Sequence, residues 1–404
     1  MDRSSTLRTL ANDEVRDLVS DQASDHVADQ QGTQESSTRQ PGGAVNRASR
    51  DPARTSPVGT DPTSTDLAST DPASTDRRAP DEILDVDLLA FEHGSSSQRQ
   101  AVTDGVMASL RTGFVYTAHD LPAGLLDDAY GVLARFFALD AEAKARCVDA
   151  ESFGARGYTG PLTETAAVSE RPDWKEMFNW SDLPPAGHPL RSKYGRWYRP
   201  SVFPDDNVTG AREVLTEFHR RLVDLQRRFL RVIAVAIGAH ETYFDTMTAH
   251  GTHLSRAIRY PPMSSAPGGG AEGHVWADEH ADINLITALP RATDRGLQVR
   301  IDGEWVAAAP PPDHVIINSG IMLEHLTNGL IRAAWHRVQA DPAQTGDRLS
   351  VVQFCHPRPS TILTPLPSTV TPERPCRYEA VSAEDRLAEV IWEINLMPDA
   401  RRVE

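Results

Sequence analysis

The sequence predicts a mainly β fold with flanking helices, an antiparallel sandwich or jelly roll preceded by a helix-rich region. Three observations predict it. Beyond residue 250, six short β-rich runs follow one another: LSRAIRY (254–260), INLITAL (283–289), GLQVRI (296–301), HVIINSG (314–320), AAWHRVQA (333–340) and LSVVQFCH (349–356). Turn residues separate them and no helical pattern intervenes, which is the spacing of an antiparallel β architecture. Between about 97 and 239, apolar residues instead recur at helical intervals. Residues 1–80 hold no Phe, Tyr or Trp at all.

The first 80 residues carry 9 basic and 13 acidic side chains and are rich in Ser, Thr, Asp, Gln and Pro. With so little to bury, they cannot offset the entropy of ordering, so a disordered low-complexity extension is expected, with one transient helix at 6–20. Thr-Asp recurs there in steps of five, at Thr60, Thr65, Thr70 and Thr75. A polar pentad has no apolar face to stack and matches no solenoid period. From Pro80 the pattern turns globular. Ile83–Phe91 reads as a short strand, 97–111 as a helix, Gly113–Tyr116 as a buried strand, and Leu125–Phe137 as a helix followed by a helical turn at Ala141–Arg146. Ala211–Ala239 predicts a long amphipathic helix, with Leu222, Leu225, Phe229 and Ile233 as its core stripe beside several arginines. Asp302-Gly303 is a hairpin turn signal. The chain therefore divides into the extension 1–80, a helix-rich region 81–250, and a β core 251–404 that ends in a C-terminal helix.

Composition excludes several classes. The net charge is −16, which argues against an extended nucleic-acid surface. No apolar run reaches the ~18 residues of a membrane span. The N-terminus lacks the apolar stretch of an export signal. Three cysteines (Cys147, Cys355 and Cys376) make neither a disulfide framework nor a thiolate zinc site, so a cytoplasmic setting is expected.

The chemistry lies in the β region. In extended backbone, residues i and i+2 share a face, so His280 and Asp282 of EHAD can converge on one point. His-x-Asp alone is weak in a chain with 14 histidines. His336 in a later strand would complete two imidazoles and one carboxylate, the set that suits ferrous iron and leaves positions open for substrate and oxygen. Twelve residues on, Arg348 and Ser350 again share a face and can hold a carboxylate together. His274, His314, His325 and His356 have no such partners and read as structural or surface residues, although His274 precedes the metal motif closely enough to line the pocket. Arg259 reads as a salt bridge in the barrel, and Asn318 with Gly320 as a turn. Lys175 and Glu176 fit a substrate-facing position or a surface ion pair equally. The Gly268–Gly270 run lacks the Lys-Ser/Thr of a phosphate loop and reads as a connection.

Residues 81–395 resemble the isopenicillin N synthase-like branch of the iron(II)/2-oxoglutarate-dependent dioxygenases. The carrying segments are RYPP (259–262), HADINLITALP (280–290), GLQV (296–299), INSGIMLEHLTNG (317–329), WHRV (335–338), RLS (348–350) and FCHPRPS (354–360). Upstream, RTGFVYTAHDLP (111–122), ARFFALDAEAKAR (134–146), GYTG (157–160) and DWKEMFNW (173–180) complete them. The resemblance implies a double-stranded β-helix with Fe(II) held by His280, Asp282 and His336. It further implies 2-oxoglutarate held at its far carboxylate by Arg348 and Ser350, with Tyr260 as an additional donor. O2 would be consumed and succinate and CO2 released as a small molecule, with amino acid or peptide derivatives among the candidates, is hydroxylated, desaturated or cyclised. Antibiotic or other specialised-metabolite biosynthesis is the expected setting. Because Asp282 is present, halogenation is disfavoured. Isopenicillin N synthase itself uses no 2-oxoglutarate, so an oxidase whose Arg-x-Ser pair grips a substrate carboxylate is the alternative. A catalytically silent jelly-roll binding protein is a third reading.

Overall fold

The structure is a computed structural model and describes residues 82–152, 154–165, 172–270, 275–341 and 343–393. The expected extension over 1–80, its helix at 6–20 and His274 lie outside those residues. Along the chain come β1 (Asp85–Asp87), α1 (Leu88–His93), α2 (Ser96–Ser109), β2 (Phe114–Ala118), α3 (Ala123–Phe137), α4 (Ala141–Ala145), β3 (Gly157–Thr159) and β4 (Glu176–Trp180). Next are α5 (Pro189–Lys193), α6 (Ala211–Ala236), α7 (Asp245–Thr248), β5 (Leu254–Tyr260), β6 (Ala277–His280), β7 (Ile286–Ala292), β8 (Leu297–Ile301) and β9 (Glu304–Ala307). The remainder are β10 (His314–Ser319), α8 (Ile321–Leu326), β11 (His336–Val338), β12 (Arg348–Cys355), β13 (Ile362–Leu363), β14 (Val381–Ser382) and α9 (Ala383–Glu393).

An eight-stranded sheet runs β1-β2-β10-β7-β12-β5-β4-β3, and a four-stranded sheet runs β6-β11-β8-β9. Phe114, Tyr116 and Ile316 of the large sheet pack on Val299 of the small one. This is the expected jelly-roll core, a double-stranded β-helix. Strands β1 to β4, from before residue 250, extend the large sheet at both edges.

Behind the large sheet lies α6. Its buried stripe includes Leu215, Phe218, Leu222, Leu225, Phe229 and Ile233, each contributing about 1.5–3 kcal/mol on full burial. Its arginines leave the core and pair with acids, Arg228 with Glu92 and Asp120 and Arg231 with Asp245. The stripe is therefore core packing, as its periodicity predicts. Two buried polar side chains reach from the helices into the sheet where the β12–β7 register shifts between Val351 and Gln353. Gln226 Nε2 donates to the carbonyls of Gln353 and Ile286 at 2.9 and 3.1 Å. The Tyr130 hydroxyl donates to Arg291 O and accepts from Val351 N. Both tie a helix to backbone groups of β7 and β12.

Three local expectations change. The strand expected over 83–91 stops at Asp87, because the Asp87 carboxylate accepts from Leu89 N and Ala90 N and starts α1. The run at 283–289 becomes strand only from Ile286. The small helix α8 interrupts the β region where no helical pattern stood out. The Asp302-Gly303 hairpin is present, with φ of 50° and 89° joining β8 to β9.

Candidate metal centre

Antiparallel pairing of β6 with β11 sets His280 directly opposite His336, with ring centroids 4.3 Å apart. Asp282 follows two residues later, just past the end of β6. The ligand atoms of these three residues lie within 4.8 Å of one another, and no other such cluster occurs among the described residues. Asp282 Oδ1 sits 4.0 Å from His280 Nε2 and 3.9 Å from His336 Nε2.

The surroundings orient each donor. His280 Nδ1 bonds to Asp278 O at 2.7 Å, and His336 Nδ1 to Ala334 O at 3.0 Å. A carbonyl can only accept, so each Nδ1 carries the proton and each Nε2 lone pair faces the centre. The other carboxylate oxygen of Asp282 accepts from Thr287 Oγ1 at 2.5 Å and Asn318 Nδ2 at 2.8 Å. Burial lowers the pKa of His280, and His336 beside it adds to that, so the imidazole is neutral near pH 7. Burial opposes the charge of Asp282, yet the two histidines, Thr287 and Asn318 hold it below the usual carboxylate range. Two imidazoles with their Nε2 atoms turned inward and one ionised carboxylate, with no thiolate, fit a ferrous ion. Asn318 thus does more than shape a turn. Gly320 is needed at that turn because a Cβ there would lie 2.1 Å from Asn284 O.

Two cavities meet at this centre. The smaller, about 70 Å³, is lined by Tyr260, His280, Asp282, His336, Arg348 and Ser350 among others. Along β12, Arg348, Ser350, Val352 and Phe354 face this interior, while Leu349, Val351 and Cys355 face the helices. Arg348 is 1% exposed. Its Nη1 donates to Ser350 Oγ at 3.0 Å and its Nε to Asp294 O at 3.2 Å, and the guanidinium lies 5.0 Å from the Tyr260 ring centroid. Register places Tyr260 directly across from Arg348. Among the described residues no carboxylate contacts this buried cation.

The larger cavity, about 280 Å³, is bounded by Trp197, Trp335, Phe354 and three α9 residues, Leu387, Val390 and Ile391. Its polar wall is a buried ion cluster that sequence reasoning did not find. Lys175 Nζ lies 3.0 Å from Glu164 and 2.8 Å from Asp173, and Arg256 Nη1 lies 3.2 Å from Glu164. Burial opposes the charges of Lys175 and Glu164. Their neighbours prevail, raising Lys175 and lowering Glu164 to about 2. Asp173 Oδ1 also accepts from Asp278 N at 3.3 Å, so the cluster braces β6 two residues before His280. Glu176 points the other way, to Lys144 and Arg259, so Lys175 and Glu176 divide between site and sheet edge. Arg259 is a barrel salt bridge, as expected. His356, expected to be structural or surface, lines the larger cavity.

Thr287→Val and Asn318→Ala each leave the metal donors in place but remove one of the two donors to Asp282 Oδ2. Each is expected to weaken Fe(II) binding by roughly 10–100-fold with the fold retained. Iron titration under anaerobic conditions checks this, and unchanged affinity would remove both residues from the site.

Residues 83–206 match the family described as non-haem dioxygenase in morphine synthesis N-terminal, and 252–357 match the 2OG-Fe(II) oxygenase superfamily. Homoarginine-6-hydroxylase of Glycine max is 30% identical over 273 residues, covering 64% of this chain and 78% of that protein. A 2-oxoglutarate-Fe(II) type oxidoreductase of Aspergillus fumigatus is 26% identical over 318 residues, covering 77% and 92%. Among solved structures, a 2OG-Fe(II) oxygenase family protein of Caulobacter crescentus superimposes with a TM-score of 0.68 at 28% identity, covering 77% of this chain and 99% of that one. A full-length Neurospora crassa protein in complex with alpha-KG superimposes with a TM-score of 0.66 at 25% identity, covering 76% and 95%.

Proposed function

The chain belongs to the 2OG-Fe(II) oxygenase superfamily and is an Fe(II)/2-oxoglutarate-dependent oxidoreductase; from that premise we propose that it hydroxylates, desaturates or cyclises a small molecule of specialised metabolism. Its metal ligands in this reading are His280, Asp282 and His336, and its 2-oxoglutarate clamp is Arg348, Ser350 and Tyr260. One observation carries it: a small cavity ending on a buried arginine that no carboxylate of the described residues contacts, and a larger, mostly apolar cavity, meet at His280 and Asp282 of the same His-Asp-His cluster.

When bound, iron with its keto acid and O2 supplies the oxidising power, and CO2 and succinate leave. The chain supplies geometry. Arg348 and Ser350 would grip the far carboxylate of 2-oxoglutarate, with Tyr260 donating its hydroxyl, so the keto acid end is delivered toward the histidines. Thr287 and Asn318 keep Asp282 ionised and fixed. Lys175 and Arg256 line both cavities, and α9 supplies Leu387, Val390 and Ile391 to the wall of the larger one.

Within the superfamily, we place the chain in the isopenicillin N synthase-like branch, a reading supported by the order of its motifs. The division into 81–250 and 251–404 is kept as a functional one, since all six clamp and ligand residues fall after 250. An amino acid or peptide-derived substrate and a cytoplasmic setting are likewise our reading. The first is supported by similarity to a homoarginine hydroxylase. Among the described residues no helix is long and apolar enough to cross a membrane.

The test is succinate release from 2-oxoglutarate by the anaerobically iron-loaded protein on admission of O2. Release that depends on both iron and 2-oxoglutarate is expected. Oxygen consumption without succinate would favour the oxidase alternative instead.

A further inference from the structure

Arg156 stands at the wall of the larger cavity. It is 4% exposed, and the described residues place no carboxylate within ion-pair distance of it. Its three recorded hydrogen bonds all go to backbone carbonyls: Nε to Arg199 O at 3.0 Å, Nη1 to Ala155 O at 2.6 Å and Nη2 to Trp197 O at 3.1 Å. A guanidinium has five N–H donors, so two are left over. The acids nearest in influence are engaged elsewhere, Asp149 by Arg199 at 2.8 Å and Asp182 by His219 at 3.2 Å. Burial pulls the pKa of Arg156 down to about 10, which still leaves it charged at neutral pH.

The other cavity charges cancel. Lys175 and Arg256 balance Glu164 and Asp173, and Glu279 faces Arg300 at 3.4 Å. Asp282 belongs to the metal cluster. Among the described residues one buried positive charge remains, and a buried charge without a partner is costly unless a ligand supplies the counter-charge.

Resting on the reading of the larger cavity as the substrate site, we propose that Arg156 anchors a negatively charged group of the substrate, a carboxylate by preference. The substrate class is then an amphipathic organic acid. Its anion meets Arg156, and its apolar body lies along Trp197, Leu387, Val390 and Ile391. Trp197 ties the two ends together, since its carbonyl holds Arg156 while its indole Nε1 donates to Glu384 of α9 at 2.8 Å. The carbonyl contacts fix the guanidinium plane, so the remaining N–H groups are held ready for a planar, bidentate acceptor.

The test is calorimetric binding to the full chain loaded with redox-inert Zn(II) and 2-oxoglutarate, which occupies Arg348. The probes are 4-phenylbutanoate and decanoate, each paired with its primary amide. Both carboxylates are expected to bind the unmodified protein about 10–100-fold more tightly than their amides. Arg156→Gln should erase that preference and Arg156→Lys keep part of it, while Arg220→Gln, on the exposed face of α6, should leave it in place. Equal affinity for acid and amide, no binding of either acid, or a preference that survives Arg156→Gln would each overturn the proposal. The comparison within the unmodified protein decides even if Arg156→Gln does not fold. Binding of 2-oxoglutarate is recorded first. A failure there falls on the cosubstrate reading, and the acid and amide titrations are then run on metal-free Arg348→Gln protein.

Discussion

Asp282→Ala is expected to lose succinate release and Fe(II) binding together. The carboxylate is the only anionic donor in the cluster, and without it two imidazoles face a divalent ion alone. Loss of a residue that merely supports a ligand costs about 10–100-fold in affinity or activity. Loss of the ligand itself should therefore exceed ~100-fold. The substitution also removes the acceptor of Asn318 Nδ2 and the nearer acceptor of Thr287 Oγ1, which keeps Asn284 Oδ1 at 3.3 Å. Leaving a buried polar group unsatisfied costs about 1–3 kcal/mol, so a lower melting temperature accompanies the loss. Asp282→Asn separates the two effects. It keeps an acceptor oxygen for Thr287 and Asn318 but removes the charge, so stability should recover more than activity does. Iron titration, succinate assay and thermal melting on both variants check this. Full turnover in Asp282→Ala would sink the assignment of the triad.

Much of this centre is legible in the sequence, because strand geometry is local. His280 and Asp282 share a face by period alone, as do Arg348 and Ser350. What the sequence cannot display is register. That His280 stands opposite His336, and Tyr260 opposite Arg348, follows from pairings between strands some 56 and 88 residues apart. The same limit hid Asn318 and Thr287, ordinary polar residues in β10 and β7 until their strands bring them to one carboxylate. It hid the Lys175 cluster, whose members come from a loop near 164, the start of β4 and the middle of β5. The C-terminal helix is expected from the sequence, but which cavity the apolar residues of α9 line is not. Local capping decided the smaller discrepancies. An Asp87 side chain that satisfies two amides turns an expected strand into a helix start, a choice that apolar pattern does not register.

Arg348→Gln is expected to raise the half-saturating concentration of 2-oxoglutarate by about 10²–10³-fold while leaving Fe(II) affinity near its original value. Breaking a buried, hydrogen-bonded charge pair costs 2–5 kcal/mol or more, which sets that range. The free protein supplies a second, opposite-signed effect. Among the described residues the buried guanidinium contacts only Ser350 Oγ, Asp294 O and the Tyr260 ring, and no carboxylate. A buried cation with no counter-ion is a cost to the folded chain, so a neutral glutamine should leave the ligand-free melting temperature unchanged or higher. The stabilisation by cosubstrate, about 2.7 kcal/mol at a hundredfold excess over the dissociation constant, should vanish in the variant. Thermal melts with and without 2-oxoglutarate at constant metal, with a saturation curve for succinate release, test both halves. An unchanged 2-oxoglutarate dependence in Arg348→Gln would take the clamp away from the cosubstrate. Arg348 would then hold a carboxylate of the substrate, and the keto acid would have to be gripped elsewhere in the smaller cavity.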